Sequence, residues 1–327
     1  MDKIAGIILS GGLAKRFQTK DKPWIDKAIV EIEGKPILIR LIEILKQITD
    51  EIIIIVNNDE RKQTYLELLK KFDIKLAKIY IDEKGNCKGA LLGILTGMKQ
   101  VKTNFCMVLP CDLPYIKVQT LKLLLEDLSK SGITLFAHKS GVIEPLPACI
   151  SVKHCLKVIK LVCKLGKRRI DDIFRGYTEL VLVISWRVQS FDPGFKSFIN
   201  LNSPNDLKES KIPQIPLGTV ANSYPFRTEE KINIHIDEIN ENIDKFKPDN
   251  LEPLLNIISE LIAKNLYYWV ATLYEFLGRY KPEYFNKAAD FYLKESNFYY
   301  GRGMLFLARH AELDQKWCLK QLKKEYK

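Results

Sequence analysis

The 327-residue sequence contains no apolar run near the roughly 20 residues that a membrane-spanning helix needs. Its longest candidate, residues 52–56, has only the length of a β-strand. The N-terminal stretch MDKIAGIILSGG is too short in its apolar part for a signal peptide. These absences predict a cytoplasmic protein with no membrane partner.

The usual signatures of zinc sites and of two common nucleotide-binding loops are also missing. None of the seven cysteines forms a C-x-x-C pair, and the four histidines are scattered, so no zinc constellation is expected. The chain has neither the G-x-x-x-x-G-K-[ST] loop nor the G-x-G-x-x-G fingerprint. Any phosphate chemistry must therefore use another kind of loop.

Negative charge is scarce in the first two thirds of the chain. Residues 1–212 carry 35 Lys and Arg against 24 Asp and Glu, whereas residues 213–327 carry 16 of each. The whole excess of +11 thus lies in the first part and favours anionic ligands. Because no nucleic-acid-binding module is recognisable, we expect nucleotides or phosphates rather than nucleic acid.

Short apolar stretches alternate with helical patterns through this basic part. The order predicts an α/β fold, a Rossmann-like and mainly parallel sheet covered by helices on both faces. Ligands of such sheets bind at the carboxyl ends of the strands. The predicted strands are 4–9, 51–56, 76–81, 105–109 and 134–137, and the predicted helices are 36–48, 60–72, 90–99, 118–129 and 153–165.

A change of pattern after residue 207 predicts a second domain. Residues 211–227 contain three prolines and a glycine without periodicity, which is typical of a linker. From 228 to 327 the apolar spacing is helical, and aromatic residues are frequent. We predict domains at 1–210 and 228–327, the second all-α. It is either a self-contained bundle or a docking surface for a partner or a second copy.

The first candidate site is a glycine pair, Gly11-Gly12, directly after the first predicted strand. Glycines let the backbone approach a phosphate, and Lys15 and Arg16 follow with positive charge. An ordinary turn explains the pair equally well.

A carboxylate, Asp112, follows the predicted strand 105–109 and stands between Pro110 and Pro114. Mg²⁺ binds one or two carboxylates together with phosphate oxygens, so Asp112 is a candidate metal ligand. The alternative is an aspartate that caps the following helix.

Three further polar features accompany these two. Lys27 can neutralise charge near a phosphate loop, although most lysines are solvated surface residues. Asp82 ends the predicted strand 76–81 and is a second carboxylate at the ligand-binding edge. Asn200 and Asn202 offer amide donors to a phosphate or a polar ring, or else form an Asx-type turn.

Taken together, the motifs LSGG-x3-R, DK-x6-GKP, D-x6-GALLG, LPCDLPYI and FINLNSPNDL occur in this order. The combination resembles the molybdenum cofactor guanylyltransferases, a nucleotidyltransferase family. The resemblance covers residues 4 to about 208 and implies a fold of the nucleotidyltransferase type. Residues 228–327 carry no recognised resemblance.

On the nucleotide side, the resemblance implies that the residues of the first loop surround GTP and that a carboxylate reads guanine. Arg16, Lys27 and Asp112 are the implied catalytic residues, with Asp112 as the Mg²⁺ ligand. The implied nucleotide-binding residues are Leu9, Ser10, Gly11, Gly12, Arg16, Lys27, Asn57 (or Asn58), Asp82, Gly89 and Asp112.

On the acceptor side, the resemblance implies that Asn200 and Asn202 bind the pterin phosphate, with Arg168 and Arg169 from a basic stretch on the same side. The implied reaction is Mg²⁺-dependent transfer of GMP from GTP to the phosphate of molybdopterin or Mo-molybdopterin. Pyrophosphate and molybdopterin guanine dinucleotide are the implied products. An apo-molybdoenzyme or a second copy of the chain is a candidate partner of the helical domain.

Departures from the family pattern keep alternatives open. Five extra residues separate Arg16 from Lys27, Phe17-Gln18 replaces the common Met-Gly, and Ala90 replaces a proline. The choice of guanine rests on Gly11-Gly12, because the related cytidylyltransferases usually have Ala-Gly there. The alternatives are cytidylyl transfer, transfer to another phosphorylated acceptor such as cobinamide phosphate or a sugar phosphate, and a non-catalytic cofactor carrier or scaffold.

Overall fold

The computed structural model describes residues 3–12, 25–83, 87–126, 128, 132–138, 140–177, 179–203, 206, 224–227 and 233–325. Chain contacts divide the protein into two compact units. The first unit contains Met1–Lys139, Glu144–Leu156 and Val181–Pro225, and the second contains Ser140–Ile143, Lys157–Leu180 and Phe226–Lys327.

The described residues form one eight-stranded, mainly parallel sheet, as the sequence predicted. Its strands are β1 (Ile4–Ser10), β2 (Glu51–Val56), β3 (Ala77–Ile81), β4 (Phe105–Pro110), β5 (Ile133–Ala137), β6 (Ile143–Ser151), β7 (Glu179–Ile184) and β8 (Tyr224–Arg227). The spatial order is β8-β7-β5-β6-β4-β1-β2-β3.

The central strands are apolar along their whole length because both faces of the sheet are covered. In β2, residues 52–56 are four isoleucines and a valine, and all five are at most 1% exposed. Side chains branched at Cβ favour the extended backbone, so the same residues supply both the strand and the core.

Helices α1 (Ile37–Leu45), α2 (Asp59–Lys71), α3 (Gly89–Gln100), α4 (Val118–Glu126) and α5 (Val152–Lys164) alternate with these strands. The strand β6 was not predicted, and it runs antiparallel to β4. Pro145 and Pro147 lie within it, and prolines ordinarily argue against a strand.

The helices of the second unit are α6 (Asp171–Tyr177), α7 (Asn233–Asp244), α8 (Glu252–Ala263), α9 (Tyr267–Gly278), α10 (Tyr284–Tyr300) and α11 (Leu305–Glu325). Residues 157–180 belong to the first domain by sequence pattern, but their contacts group them with the C-terminal helices. The physical reason is a set of buried ion pairs, among them Arg175–Glu295 and Lys167–Glu275.

The proposed linker 211–227 also needs a correction at its end. Residues 211–223 lie outside the described residues, but Tyr224–Arg227 form the edge strand β8. An edge strand tolerates Pro225, which lacks a backbone N–H. Among the residues that the structure describes, no helix has the length and apolar character needed to cross a membrane.

Candidate active site

The predicted nucleotide-site residues follow four neighbouring strands at one edge of the sheet. β1 pairs in parallel with β2 and β4, and β2 pairs in parallel with β3. The pairs Ser10↔Val56 and Val56↔Ile81 bring Gly11, Asn57 and Asp82 to the same edge. Cys111 donates its backbone N–H to the Leu9 carbonyl at 3.1 Å, which brings the neighbouring Asp112 to this edge as well.

Three buried oxygens at this edge lack a hydrogen-bond partner among the described residues. They are Asn57 Oδ1, Asp82 Oδ1 and Asp112 Oδ1. Leaving a buried polar atom unsatisfied costs about 1–3 kcal/mol, so such atoms call for an explanation. A ligand with N–H donors or a cation would satisfy them.

Gly11 allows a close approach between the first loop and Asp82. A Cβ at Gly11 would lie 3.0 Å from Asp82 Oδ2 and 3.8 Å from Asn57 Cβ. At Gly12, by contrast, no described atom lies within 4 Å of the corresponding position. The two glycines are therefore not equivalent, and Gly11 is the one that the crowded side of the site requires.

Asp82 is a carboxylate whose environment disfavours its charge. Burial raises the pKa of Asp82 to about 6, against the opposing influence of the Thr96 hydroxyl. Its backbone N–H donates to the Val56 carbonyl at 2.8 Å, which fixes the residue next to β2. A ligand that donates hydrogen bonds to this carboxyl would favour the ionised form.

Lys27 and Asp112 face each other across the site. Lys27 Nζ lies 3.7 Å from Asp112 Oδ2, and the two side chains are 12% and 24% exposed. Burial raises the pKa of Asp112, and the Lys27 ammonium acts in the opposite direction. Because Asp112 Oδ1 accepts no hydrogen bond from the part of the chain that the structure describes, the carboxylate fits a role as Mg²⁺ ligand.

The segment that carries Asn200 and Asn202 adjoins Asp112. Leu201 donates its backbone N–H to the Asp112 carbonyl at 2.9 Å. The turn here is organised by Asp206, whose Oδ2 accepts from the backbone N–H groups of Asn202 at 2.8 Å and Ser203 at 2.6 Å. The Asn200 and Asn202 amide groups each donate to a backbone carbonyl at the long distance of 3.5 Å.

Of two further residues predicted in the nucleotide site, the structure describes Gly89 but not Arg16. Gly89 begins α3 with a φ of +64°, in the left-handed region where glycine is favoured. Arg16, predicted to bind phosphates, lies outside the described residues.

Arg168 and Arg169, expected on the acceptor side, belong to the second unit. Arg169 is already committed there, because its guanidinium lies 3.2 Å from Asp171 Oδ1 and 2.7 Å from Asp314 Oδ2. Arg168 is exposed and lines a cavity of about 400 Å³ together with Lys167, Asp172, Glu275, Arg279 and Asp314. Arg168 is thus exposed to solvent, whereas Arg169 forms ion pairs with two carboxylates.

A second group of potential metal ligands lies in the second unit. Ligand atoms of His235, Glu238 and Glu260 lie within 4.8 Å of one another. The Lys264 ammonium, which can only donate, lies 2.8 Å from His235 Nε2. That contact places the ring proton on Nδ1 and leaves no lone pair for a metal, so we assign none here.

Sequence reasoning missed a buried polar network beneath the first loop. Arg61 Nε lies 2.8 Å from Asp26 Oδ2, and both side chains are less than 10% exposed. Tyr65, one turn after Arg61 on α2, donates to Asp26 Oδ2 at 2.9 Å and lies 2.5 Å from Ser10 Oγ. The signal in the sequence was a polar pair spaced i, i+4 on the helix that follows β2.

Comparisons with known proteins identify relatives of the first part of this chain. The family model described as "MobA-like NTP transferase domain" matches residues 6–180. A probable molybdenum cofactor guanylyltransferase of Methanosarcina mazei is 28% identical over 204 residues, which cover 62% of this chain and 88% of that protein. A protein of the same description from Natranaerobius thermophilus is 28% identical over 214 residues, covering 64% and 96%.

A solved structure shares the fold. Molybdopterin-guanine dinucleotide biosynthesis protein A from Archaeoglobus fulgidus aligns with a TM-score of 0.50 and 21% identity, over 62% of this chain and 95% of that one. The matched family model spans more than half of the sequence, and the motifs predicted the same family. This chain therefore belongs to the family of MobA-like NTP transferase domains and is a nucleotidyltransferase.

Proposed function

We propose that this protein transfers GMP from GTP to the phosphate of molybdopterin, with or without bound molybdenum, and releases pyrophosphate. The names of its curated relatives support guanylyl transfer in molybdenum cofactor biosynthesis. The single observation that carries the proposal is the set of three buried oxygens, those of Asn57, Asp82 and Asp112, that have no hydrogen-bond partner among the described residues. Their number and position suit a ligand that brings both N–H donors and a cation.

In this proposal, guanine is recognised by Asp82 and Asn57, which lie close to Gly11. The ionised Asp82 carboxylate can accept two N–H groups of one base edge, and guanine presents two such donors side by side. Asn57 Oδ1 offers a further acceptor beside it. Cytosine lacks the paired ring and exocyclic donors, so this arrangement favours GTP over CTP.

Asp112 is the residue that would hold Mg²⁺, through Oδ1, which no described residue hydrogen-bonds. Bound there, Mg²⁺ would supply positive charge to the triphosphate. Lys27, 3.7 Å from the same carboxylate, adds a cation that the protein itself provides. We assign Arg16, on the segment after Gly12, to the phosphates as well.

The chemistry needs positioning more than proton transfer. An oxygen of the acceptor phosphate attacks the α-phosphorus of GTP, a new P–O bond forms, and the bond to the bridging oxygen of the β-phosphate breaks. A phosphomonoester is already ionised at neutral pH, so no general base is required. Lys27 neutralises charge on the departing pyrophosphate, as in other phosphoryl-type transfers. Asn200 and Asn202 are our candidates for holding the acceptor.

Thermal denaturation with GTP, CTP, ATP or UTP, each with and without Mg²⁺, tests the nucleotide assignment. A ligand at 100 times its Kd stabilises a protein by about 2.7 kcal/mol, so selective binding is easily measured. We expect stabilisation by Mg²⁺ and GTP. Stabilisation by CTP alone would identify a cytidylyltransferase, and the absence of any shift would favour a cofactor carrier.

Pyrophosphate release in the presence of molybdopterin tests the reaction itself. We expect Asp112→Asn to lower the rate by about 10²–10³-fold, the scale for one electrostatic stabiliser. Asp73→Asn, at an exposed ion pair with Lys75, is the matched control and should leave the rate unchanged. A near wild-type rate for Asp112→Asn would contradict the metal assignment.

A further inference from the structure

We propose that Arg61, Asp26 and Tyr65 are positioning residues that hold the first loop and Lys27 in a fixed relation before the nucleotide binds. This inference rests on the proposed function, since it concerns the same site. None of the three is among the residues that the sequence assigned to nucleotide or metal. They lie behind the site and act through Ser10, Gly12 and Lys27.

Arg61 fixes the direction of the loop backbone. Its Nη1 donates to the Ser10 carbonyl at 2.5 Å, and Nη1 and Nη2 both lie 3.3 Å from the Gly12 carbonyl. In a trans peptide the N–H points opposite to the C=O. Because Arg61 holds the Ser10 carbonyl, the Gly11 N–H must face away from Arg61.

Asp26 links Arg61 to the backbone next to Lys27. Its Oδ2 pairs with Arg61 Nε at 2.8 Å, and its Oδ1 accepts from the Ala28 backbone N–H at 3.1 Å. Asp26 thereby caps the single turn of 3₁₀-helix at Lys27–Ile29. Lys27 opens that turn and directs its ammonium towards Asp112. One arginine thus joins the loop backbone to the backbone that carries the lysine.

Tyr65 closes the network through a second route. Its hydroxyl contacts both Ser10 Oγ and Asp26 Oδ2, and the side chain is fully buried. The loop and the lysine turn are therefore linked twice, once by the charged Arg61 guanidinium and once by the uncharged Tyr65 hydroxyl. Asn58 in turn holds the start of α2, because its Oδ1 accepts from the Arg61 backbone N–H at 2.9 Å.

Burying a charged pair is costly, and apolar residues of similar size often replace such a pair without loss of stability. The Arg61–Asp26 pair is therefore poorly explained by stability alone. Apolar residues could not replace the hydrogen bonds that Arg61 donates to two backbone carbonyls, nor its ion pair with the capping Asp26 carboxylate. A phosphate-binding loop that is organised in advance avoids the entropy of ordering it on binding.

Four variants and one control test the inference. Tyr65→Phe removes only the neutral link, and Arg61→Lys keeps the charge but loses the fork. The double variant Asp26→Asn with Arg61→Gln removes both charges together and leaves neither buried alone, whereas the single variant Arg61→Gln strands the carboxylate. Arg40→Gln is the control, because Arg40 also joins a backbone carbonyl, that of Ile32, to a carboxylate, that of Glu33, both at 3.0 Å.

The measurements are the Kd for Mg²⁺ and GTP by calorimetry, kcat for pyrophosphate release, and the thermal midpoint of each variant. We expect the double variant and Arg61→Lys to bind GTP about 10- to 100-fold more weakly and to lose kcat, while remaining folded. Tyr65→Phe should show a smaller loss of the same kind. Preference for GTP over CTP should persist, since Asp82 and Asn57 are untouched. Folded variants with wild-type Kd and kcat would overturn the inference, as would losses no larger than in Arg40→Gln.

Hydrogen exchange separates this inference from the proposed function. Peptides covering residues 4–12 and 25–30 should exchange faster in the double variant than in wild type or Arg40→Gln, with no nucleotide present. If wild type binds no nucleotide, the proposed function fails, yet faster exchange in both peptides would still support the coupling. Unchanged exchange in the double variant would overturn the positioning role, whatever the nucleotide results.

Discussion

At the scale of single residues, the site is defined by atoms that lack partners. Most buried oxygens in proteins accept at least one hydrogen bond, but the three at the edge of this sheet accept none from the residues that the structure describes. Asp82 shows the electrostatic side of the same fact, because burial raises its pKa to about 6. We propose that a bound ligand supplies the hydrogen bond that Asp82 Oδ1 lacks among the described residues.

The pH dependence of nucleotide binding should follow Asp82. Guanine donates to the ionised carboxylate, so the affinity for GTP should be constant above about pH 6 and fall about tenfold per pH unit below it. The contribution of Asp82 to stability has the opposite sense. A raised pKa in the folded state stabilises the free protein at low pH, and this contribution is lost as the pH rises through about 6.

Calorimetric titration between pH 5 and 8 measures the affinity. Asp82→Asn is the control, because any pH dependence that arises from the triphosphate itself should persist in it. Equal pH profiles for the two proteins would show that Asp82 does not bind the base.

The two glycines of the first loop should respond differently to the same added methyl group. Gly11→Ala would place a Cβ 3.0 Å from Asp82 Oδ2, so that carboxylate must move away from the base. We expect the affinity for GTP to fall about tenfold, and the preference for GTP over CTP to fall with it, on the scale of 1–2 kcal/mol for a misplaced hydrogen bond.

Gly12→Ala is the matched control, since no described atom lies within 4 Å of its Cβ position. Competition binding with GTP and CTP compares the two variants. If Gly12→Ala lowered the preference for GTP as much as Gly11→Ala, contact with Asp82 would not be what selects the base.

At the scale of elements, α6 is unusual because all of its seven residues are buried, three of them charged. Arg175 is fully buried and pairs with Glu295 at 2.7 and 2.8 Å and with Asp314 at 2.7 Å. Its guanidinium also lies over the Tyr268 ring, 4.7 Å from the centroid. These contacts attach α6 to α9, α10 and α11.

Replacing Arg175 by methionine should destabilise the protein by about 3–5 kcal/mol. The buried Glu295 carboxylate would lose the guanidinium that pairs with it, and Asp314 would keep Arg169 but lose one of its cations. Burial already raises the pKa of Glu295, and Arg175 opposes this. In the variant, the pKa of Glu295 should rise further, so the loss of stability should shrink as the pH is lowered. Urea denaturation at pH 5 and pH 8 measures both effects.

Two further variants keep this result interpretable. The double variant Arg175→Met with Glu295→Leu removes both ends of one pair and should recover part of the stability. Lys245→Met, in an exposed ion pair with Glu241, should cost less than about 1 kcal/mol. An Arg175→Met protein as stable as Lys245→Met would refute the importance of the network.

At the scale of the whole molecule, the boundary of the family domain and the boundary of the compact units do not coincide. The family model ends at residue 180, yet Lys157–Leu180 cluster with the C-terminal helices. The last part of the family domain in this chain therefore completes the core of the second unit. Residues 226–327 are not an appendage to a finished domain.

A chain that ends at residue 225 should consequently fail to fold cooperatively. Truncation there removes Glu275 and Glu295, the buried partners of Lys167 and Arg175, and leaves those cations without their carboxylates. Circular dichroism during heating, together with limited proteolysis, compares the truncated and full-length chains. A sharp melting transition and a GTP-dependent shift in the truncated chain would show instead that the first unit is self-sufficient.

The sequence by itself determined the α/β fold, the strands that carry the site, and the family. Continuous apolar runs such as residues 51–56 indicate strands that are buried on both faces of the sheet. The loops that follow these runs indicate the edge of the sheet where ligands bind. These are local signals, readable from neighbouring residues. Asp82 and Asp112 could be predicted as site residues for that reason, because Asp82 directly follows the apolar strand β3 and Asp112 stands two residues after the apolar strand β4.

Only the tertiary structure decided what depends on residues far apart in the chain. Arg61 and Asp26 are 35 positions apart, and Arg175 and Glu295 are 120 apart, so no local pattern pairs them. These charged side chains are buried, and a buried charge without a partner has a large unfavourable free energy, so each must pair with an opposite charge. That cost decided that Arg169 serves the second unit, and it decided where this unit begins.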